Sequence, residues 1–154
     1  MVIFLDIDGV MIPSKSWERQ DVQPDGLALF HPKAVGVLNY FITSTTTILL
    51  TTSHKDRFTI QEWEAIFETR GLKKVRVQSL ASNENNLSRK EELLKWFSHN
   101  KIEDNFVIID DDKSLNDLPL NLKNRLLLTS SMIGLKESHI AEIQNILDKN
   151  LQNS

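Results

Sequence analysis

Two four-residue apolar runs that stop abruptly at acidic residues constrain this chain more than any other feature. Val2–Leu5 reads VIFL and ends at Asp6; residues 106–109 read FVII and end at Asp110, Asp111 and Asp112. Each run is too short for a helix and shows no polar alternation, so each suits a strand buried on both faces. Strands of that kind belong to parallel sheets covered by helices on two sides. The intervening segments supply helices at helical spacing. They are 34–41 just after Pro32, 59–69 ending before Gly71, 89–98 capped by Ser88, and 136–147 with Ile140, Ile143 and Leu147 on one side. Further short strands are expected over 45–52, 74–78 and 125–129, and loops over 11–31 and 81–88. This alternation predicts an α/β fold with a central, mostly parallel sheet and helices on both faces.

The length of 154 residues fits one domain, expected to span 1–150, with fraying from 148 onward that leaves 151–154 as a tail. No repeat or interdomain linker interrupts it. The absence of cysteine excludes disulfides, zinc thiolate clusters, iron–sulfur sites and a thiol nucleophile. A formal net charge of -3 argues against a generic nucleic-acid coat, leaving room for a local basic patch. The N-terminus carries Asp6 and Asp8 without a leading basic region, which is unlike a signal peptide. Nothing approaches the roughly 20 apolar residues of a membrane span. A cytoplasmic protein is expected.

The chemically informative residues fall where parallel strands end, which is where such sheets bind ligands. The first strand is followed by Asp6-Ile7-Asp8-Gly9, the second contains or precedes Thr51-Thr52-Ser53, one helix opens with Arg89-Lys90, and a later strand is followed by Asp110-Asp111-Asp112. Several carboxylates at one sheet edge are costly unless neutralised, and a hard divalent cation such as Mg²⁺ with oxygen ligands does this. Hydroxyls and an amine at the same edge are donors for phosphate oxygens. An aspartate there can attack phosphorus to form an acyl phosphate that water clears.

In this order the motifs resemble those of the haloacid dehalogenase (HAD) superfamily of phosphohydrolases. VIFLDIDGV matches its first motif, ILLTTS its second, RKEELL its third and FVIIDDD its fourth. The likeness runs from about residue 2 to about residue 130. The ending RLLLTSSMIGLKESHIAEIQNIL is similar to small HAD proteins associated with RNA repair. The resemblance implies a Rossmann-like HAD fold and a Mg²⁺-dependent phosphomonoesterase working through an aspartyl phosphate. It implies Asp6 as nucleophile and Asp8 as general acid and later base. Thr52 or Thr51 would bind the phosphoryl group, Thr52 being favoured because Thr51 can still belong to the strand. Lys90 would bind phosphate and balance Asp6, with Arg89 as an adjacent alternative. Mg²⁺ would be held by Asp6, the backbone carbonyl of Asp8, Asp110 and Asp111. Asp112 is either a further ligand or a helix cap.

Plainer readings stand beside these. Asp8-Gly9 is a common turn pair, threonine runs are good strand formers, and Lys90 can be a solvated lysine. His54 and Lys55 either touch substrate or belong to a surface loop. Trp17 is a flap over the site or a packing residue, and Trp63 and Trp96 read as core. Lys73, Lys74 and Arg76 read as a solvated face. The gaps between motifs leave no room for a separate cap domain. In the HAD superfamily an open site goes with bulky phosphomonoesters or a cap from a partner subunit. The expected partner is a phosphorylated substrate, a nucleotide or a nucleic-acid end. The alternative is a phosphate-binding or regulatory HAD-like module without turnover.

Overall fold

The computed structural model describes residues 1–14 and 21–152. Five strands form one sheet: β1 Val2–Leu5, β2 Thr47–Leu50, β3 Arg76–Ser79, β4 Phe106–Asp110 and β5 Leu126–Leu128. Their order is β3-β2-β1-β4-β5, and every pairing is parallel. The helices are α1 Pro32–Phe41, α2 Ile60–Thr69, α3 Arg89–His99, α4 Leu120–Lys123 and α5 His139–Gln152. Short 3-10 turns occupy Lys55–Arg57 and Lys113–Asp117.

Side-chain alternation along the strands builds two cores, one on each face. Ile3, Leu5, Ile48, Leu50, Val107 and Ile109 pack with residues of α1, α2 and α5, including Leu38, Trp63 and Ile143. Phe4, Leu49 and Ile108 face the other way, against Leu93 of α3, Leu115 of the turn Lys113–Asp117 and Leu122 of α4. Both faces are covered, which is why the strand sequences are continuously apolar. Trp63 is fully buried, and half-buried Trp96 packs edge-on against Phe4 at 5.2 Å.

Local signals set the helix starts. Thr59 and Ser88 each form a capping box, with Glu62 and Glu91 respectively, at the openings of α2 and α3. The Ser88 box matters most, because it sets where Arg89 leaves the backbone.

Several expected boundaries shift. α1 begins at Pro32, β2 and β5 are shorter than the runs expected over 45–52 and 125–129, β3 shifts to Arg76–Ser79, and β4 takes in Asp110. α5 continues to Gln152, so 148–152 are helical where fraying was expected. The gain is physical: Leu147 is buried, and its carbonyl accepts a hydrogen bond from Asn105 Nδ2 at 2.9 Å, anchoring the last turns. The turn Lys113–Asp117 and α4 were not anticipated, because each is too short to show a helical period. Trp17, read as a flap or a packing residue, lies outside the described residues. Among the described residues no cap domain interrupts the sheet, as the spacing between motifs implied.

Candidate active site

The strand order brings the two acidic clusters together. The chain runs outward from β1 through β2 to β3, then returns to the other side of β1 with β4. β1 and β4 are therefore neighbours, in the register Leu5↔Ile109, and the next residue on each is an aspartate. The Asp6 amide donates to the Ile109 carbonyl at 3.1 Å, which holds that register past the strand end. On the other side of β1, the Thr51 amide donates to the Leu5 carbonyl at 3.0 Å. Asp6 is thus flanked by Asp110 and Thr51 at the carboxyl edge of the sheet, where such folds bind ligands.

Asp6, Asp110 and Asp111 each offer one carboxylate oxygen such that all three lie within 4.8 Å of one another. Asp6 and Asp110 are buried and Asp111 is half-buried. Backbone donors hold two of them. Asp6 Oδ1 accepts from the Ile7 amide at 2.9 Å, and Asp110 Oδ1 accepts from the amides of Asp111 and Asp112 at 2.8 and 3.0 Å. Gly9 closes in from below with φ +79°. A Cβ there would meet Asp111 Oδ2 at 2.1 Å, so only glycine lets the β1 loop lie against that carboxylate. Thr129 Oγ1 donates to the Gly9 carbonyl at 2.7 Å and pins the loop from the β5 side.

Crowding and burial show in the proton affinities. The Asp6 carboxyl is pushed up to about 9, chiefly by burial, then by the charge of Asp110, with Arg89 opposing. Asp110 is also raised, again chiefly by burial, with Arg89 and its backbone donors opposing. A set of buried oxygen ligands whose charge is incompletely balanced suits a hard cation, and Asp6, Asp110 and Asp111 would hold it.

Among the described residues, the cation that reaches these carboxylates is Arg89. Its Nη1 lies 2.5 Å from Asp110 Oδ2, 3.6 Å from Asp6 Oδ1 and 3.4 Å from Thr51 Oγ1. Burial alone would lower the Arg89 pKa, but Asp110 and Asp6 outweigh it and raise it. Glu92, one turn on, lies 3.8 Å from Arg89 Nε and accepts from buried Lys55 Nζ at 2.9 Å. Arg89 Nε is buried without a hydrogen-bond partner among the described residues. Lys90, the expected phosphate ligand, is half-buried on the same helix, and its ammonium makes no ion pair or hydrogen bond among the described residues. At this helix start the structure brings in the alternative, Arg89.

The two threonines are both buried and differ in partners. Thr51 extends β2 and meets Arg89, whereas Thr52 Oγ1 accepts from the His54 amide at 3.2 Å in a turn that leaves the strand. Asp8 is exposed and stands apart from the three clustered carboxylates. Its Oδ2 lies 2.7 Å from His54 Nε2. Asp112 caps the following 3-10 turn through the Ser114 amide at 2.9 Å, the second of the two roles open to it.

The sequence leaves His54 open between a substrate contact and a surface loop, and does not single out its neighbour Arg57, whose Nη1 lies 3.4 Å from His54 Nδ1. Their proximity to Thr52 in the chain was the available signal. What was hidden was that the turn Lys55–Arg57 folds them toward the β1 loop.

A family model described as "HAD domain in Swiss Army Knife RNA repair proteins" matches residues 2–140. Searches of curated proteins and of solved structures return no significant match.

Proposed function

The chain belongs to the family of HAD domains in Swiss Army Knife RNA repair proteins, and from that premise we propose that it is a Mg²⁺-dependent phosphomonoesterase acting on a phosphorylated RNA end. One observation carries this reading. Asp6, at the end of the central strand, shares a 4.8 Å cluster with two further carboxylates, while a guanidinium and a threonine hydroxyl converge on the same edge. That pairing of acidic and donor groups suits a phosphate brought against a carboxylate nucleophile.

In the first step an Asp6 oxygen forms a bond to phosphorus as the bond from phosphorus to the leaving oxygen breaks. Asp8 gives its proton to that oxygen, so the departing group leaves as a neutral alcohol. In the second step Asp8 accepts a proton from water, the water oxygen bonds to phosphorus, and the acyl-phosphate bond breaks. Inorganic phosphate leaves and Asp6 is regenerated. His54, 2.7 Å from Asp8, holds the acid in place between the steps. Arg89, whose Nη1 lies on the Asp6 side, offsets the charge accumulating between Asp6 and the phosphoryl oxygens. Thr52 and Thr51 add hydroxyl donors. Bound Mg²⁺ would supply charge neutralisation to the carboxylates and the phosphate.

The decisive experiment is phosphate release from 3′- and 5′-phosphorylated oligoribonucleotides and small phosphomonoesters, with and without Mg²⁺. Asp6→Asn is expected to lower turnover by about three orders of magnitude or more. Absence of turnover by the parent on every substrate would overturn the reading in favour of a phosphate-binding module.

A further inference from the structure

Asp8 and the His54 that holds it both line a cavity of about 380 Å³, together with Ile12, Leu27 and Arg57. Asp6, Asp110 and Asp111 are not among its described walls. The cavity therefore adjoins the site on the Asp8 side. That is the side on which the leaving group must lie, because the leaving oxygen has to reach the Asp8 proton.

Its walls are chemically divided. Buried Ile12 and Leu27, with exposed Val22, make an apolar portion. Arg57 makes a cationic one, with His54 beside it. The Arg57 guanidinium rests 5.5 Å from the Phe58 ring centroid, with Nη1 3.4 Å from His54 Nδ1 and Nη2 3.5 Å from the Gly26 carbonyl. Both hydrogen bonds are at the long limit, and among the described residues Arg57 pairs with no carboxylate. The nearby Asp25 is hydrogen-bonded by both terminal nitrogens of Arg70, at 2.7 and 2.8 Å, and feels Arg57 only through its charge. Gly26 makes room for this arrangement. Its φ is +87°, and a Cβ there would meet Arg57 Nη2 at 3.0 Å.

An apolar wall beside a held but unpaired guanidinium suits a nucleoside followed by a phosphodiester. We propose that this cavity seats the nucleoside that carries the scissile phosphate, and that Arg57 binds the next phosphodiester of the strand, selecting oligonucleotide ends over mononucleotides. The proposal rests on the phosphatase reading above. A guanidinium on a phosphodiester makes charge-assisted hydrogen bonds, so the expected discrimination is about ten-fold or more.

The test compares the parent, Arg57→Gln and Arg57→Lys with Mg²⁺ on p-nitrophenyl phosphate, a nucleoside monophosphate and a trinucleotide whose only monoester is terminal. 3′- and 5′-phosphorylated forms are run separately. The parent is expected to prefer the trinucleotide over the mononucleotide by about ten-fold or more in kcat/KM, mainly through KM. Arg57→Gln is expected to abolish that preference, Arg57→Lys to restore part of it, and added salt to shrink it. Equal kcat/KM for the two nucleotides in the parent, or a preference that survives in Arg57→Gln, overturns the assignment while leaving the phosphatase reading intact. A parent inactive on all three substrates overturns both.

Discussion

Arg89 and Asp110 are joined by an ion pair of 2.5 Å that bridges the start of α3 and the end of β4. The same guanidinium nitrogen lies 3.6 Å from Asp6, so one side chain partly balances both buried carboxylates. The Ser88 capping box sets the phase of α3, and that phase turns position 89 toward the sheet edge. Arg89→Ala is therefore expected to cost about 100-fold or more in kcat/KM, and Lys90→Ala much less. Steady-state kinetics of the two variants decide the order, and a larger loss in Lys90→Ala would reverse the assignment.

Three carboxylates within 4.8 Å are mutually repulsive, and two of them are buried. Burial and the neighbouring Asp110 push the Asp6 carboxyl up to about 9, so folding at neutral pH requires it to take up a proton, and replacing it with a neutral amide should stabilise the metal-free protein, as expected where a site is built for function rather than stability. Asp6→Asn is expected to raise Tm in the presence of a chelator. Mg²⁺ should then raise the Tm of the parent and have a smaller effect on the variant. Thermal melts with and without Mg²⁺ check this, and a variant that melts lower than the parent under chelation contradicts it.

Gly9 lies where a Cβ would stand 2.1 Å from Asp111 Oδ2, with φ +79°. Gly9→Ala is expected to cost ~1–2 kcal/mol in backbone strain. It should also displace the Asp111 carboxylate and raise the Mg²⁺ concentration needed for half-maximal activity several-fold. Denaturant unfolding reads the first effect and a Mg²⁺ titration the second. An unshifted titration would separate Asp111 from the metal.

Arg70 ties the loop before α1 to the end of α2. Its buried guanidinium donates to Asp25 at 2.7 and 2.8 Å and to the Leu27 carbonyl at 2.7 Å. Arg70→Ala removes all of these and leaves the carbonyl without that donor, for an expected loss of about 2–4 kcal/mol. The hydrogen bonds from Arg70 hold the Asp25 carboxyl below its ordinary value of 3.8. A depressed carboxylate stabilises the fold at pH above the unfolded value and loses that contribution as pH falls through the folded one. The stability difference between parent and Asp25→Asn should thus be full at neutral pH and shrink only in strong acid. Urea unfolding across that range measures it.

Much of the architecture was legible because burial on both faces leaves a direct mark. VIFL and FVII cannot be half-exposed strands, so helices must cover them on two sides, and they do. The acids after them were legible for the same reason, since a parallel sheet exposes only its strand ends. The shorter elements were not. Lys113–Asp117 and Leu120–Lys123 carry no full helical period, and the end of α5 is set by its packing and by the Asn105 bond rather than by its own residues.

By itself, then, the sequence determined which strands are buried, which acids follow them, and the exclusion of a thiol nucleophile, since cysteine is absent. Local patterns suffice for these because burial and turn chemistry act on neighbours in the chain. Only the tertiary structure decided which residues meet. The return of the chain to β4 beside β1 places Asp6 against Asp110, and the phase of α3 chooses Arg89 over Lys90. A turn far along the chain sets His54 on Asp8 and Arg57 over Gly26. Those contacts depend on strand order, register and helix rotation, which arise from the packing of the whole chain and leave no period in any one segment.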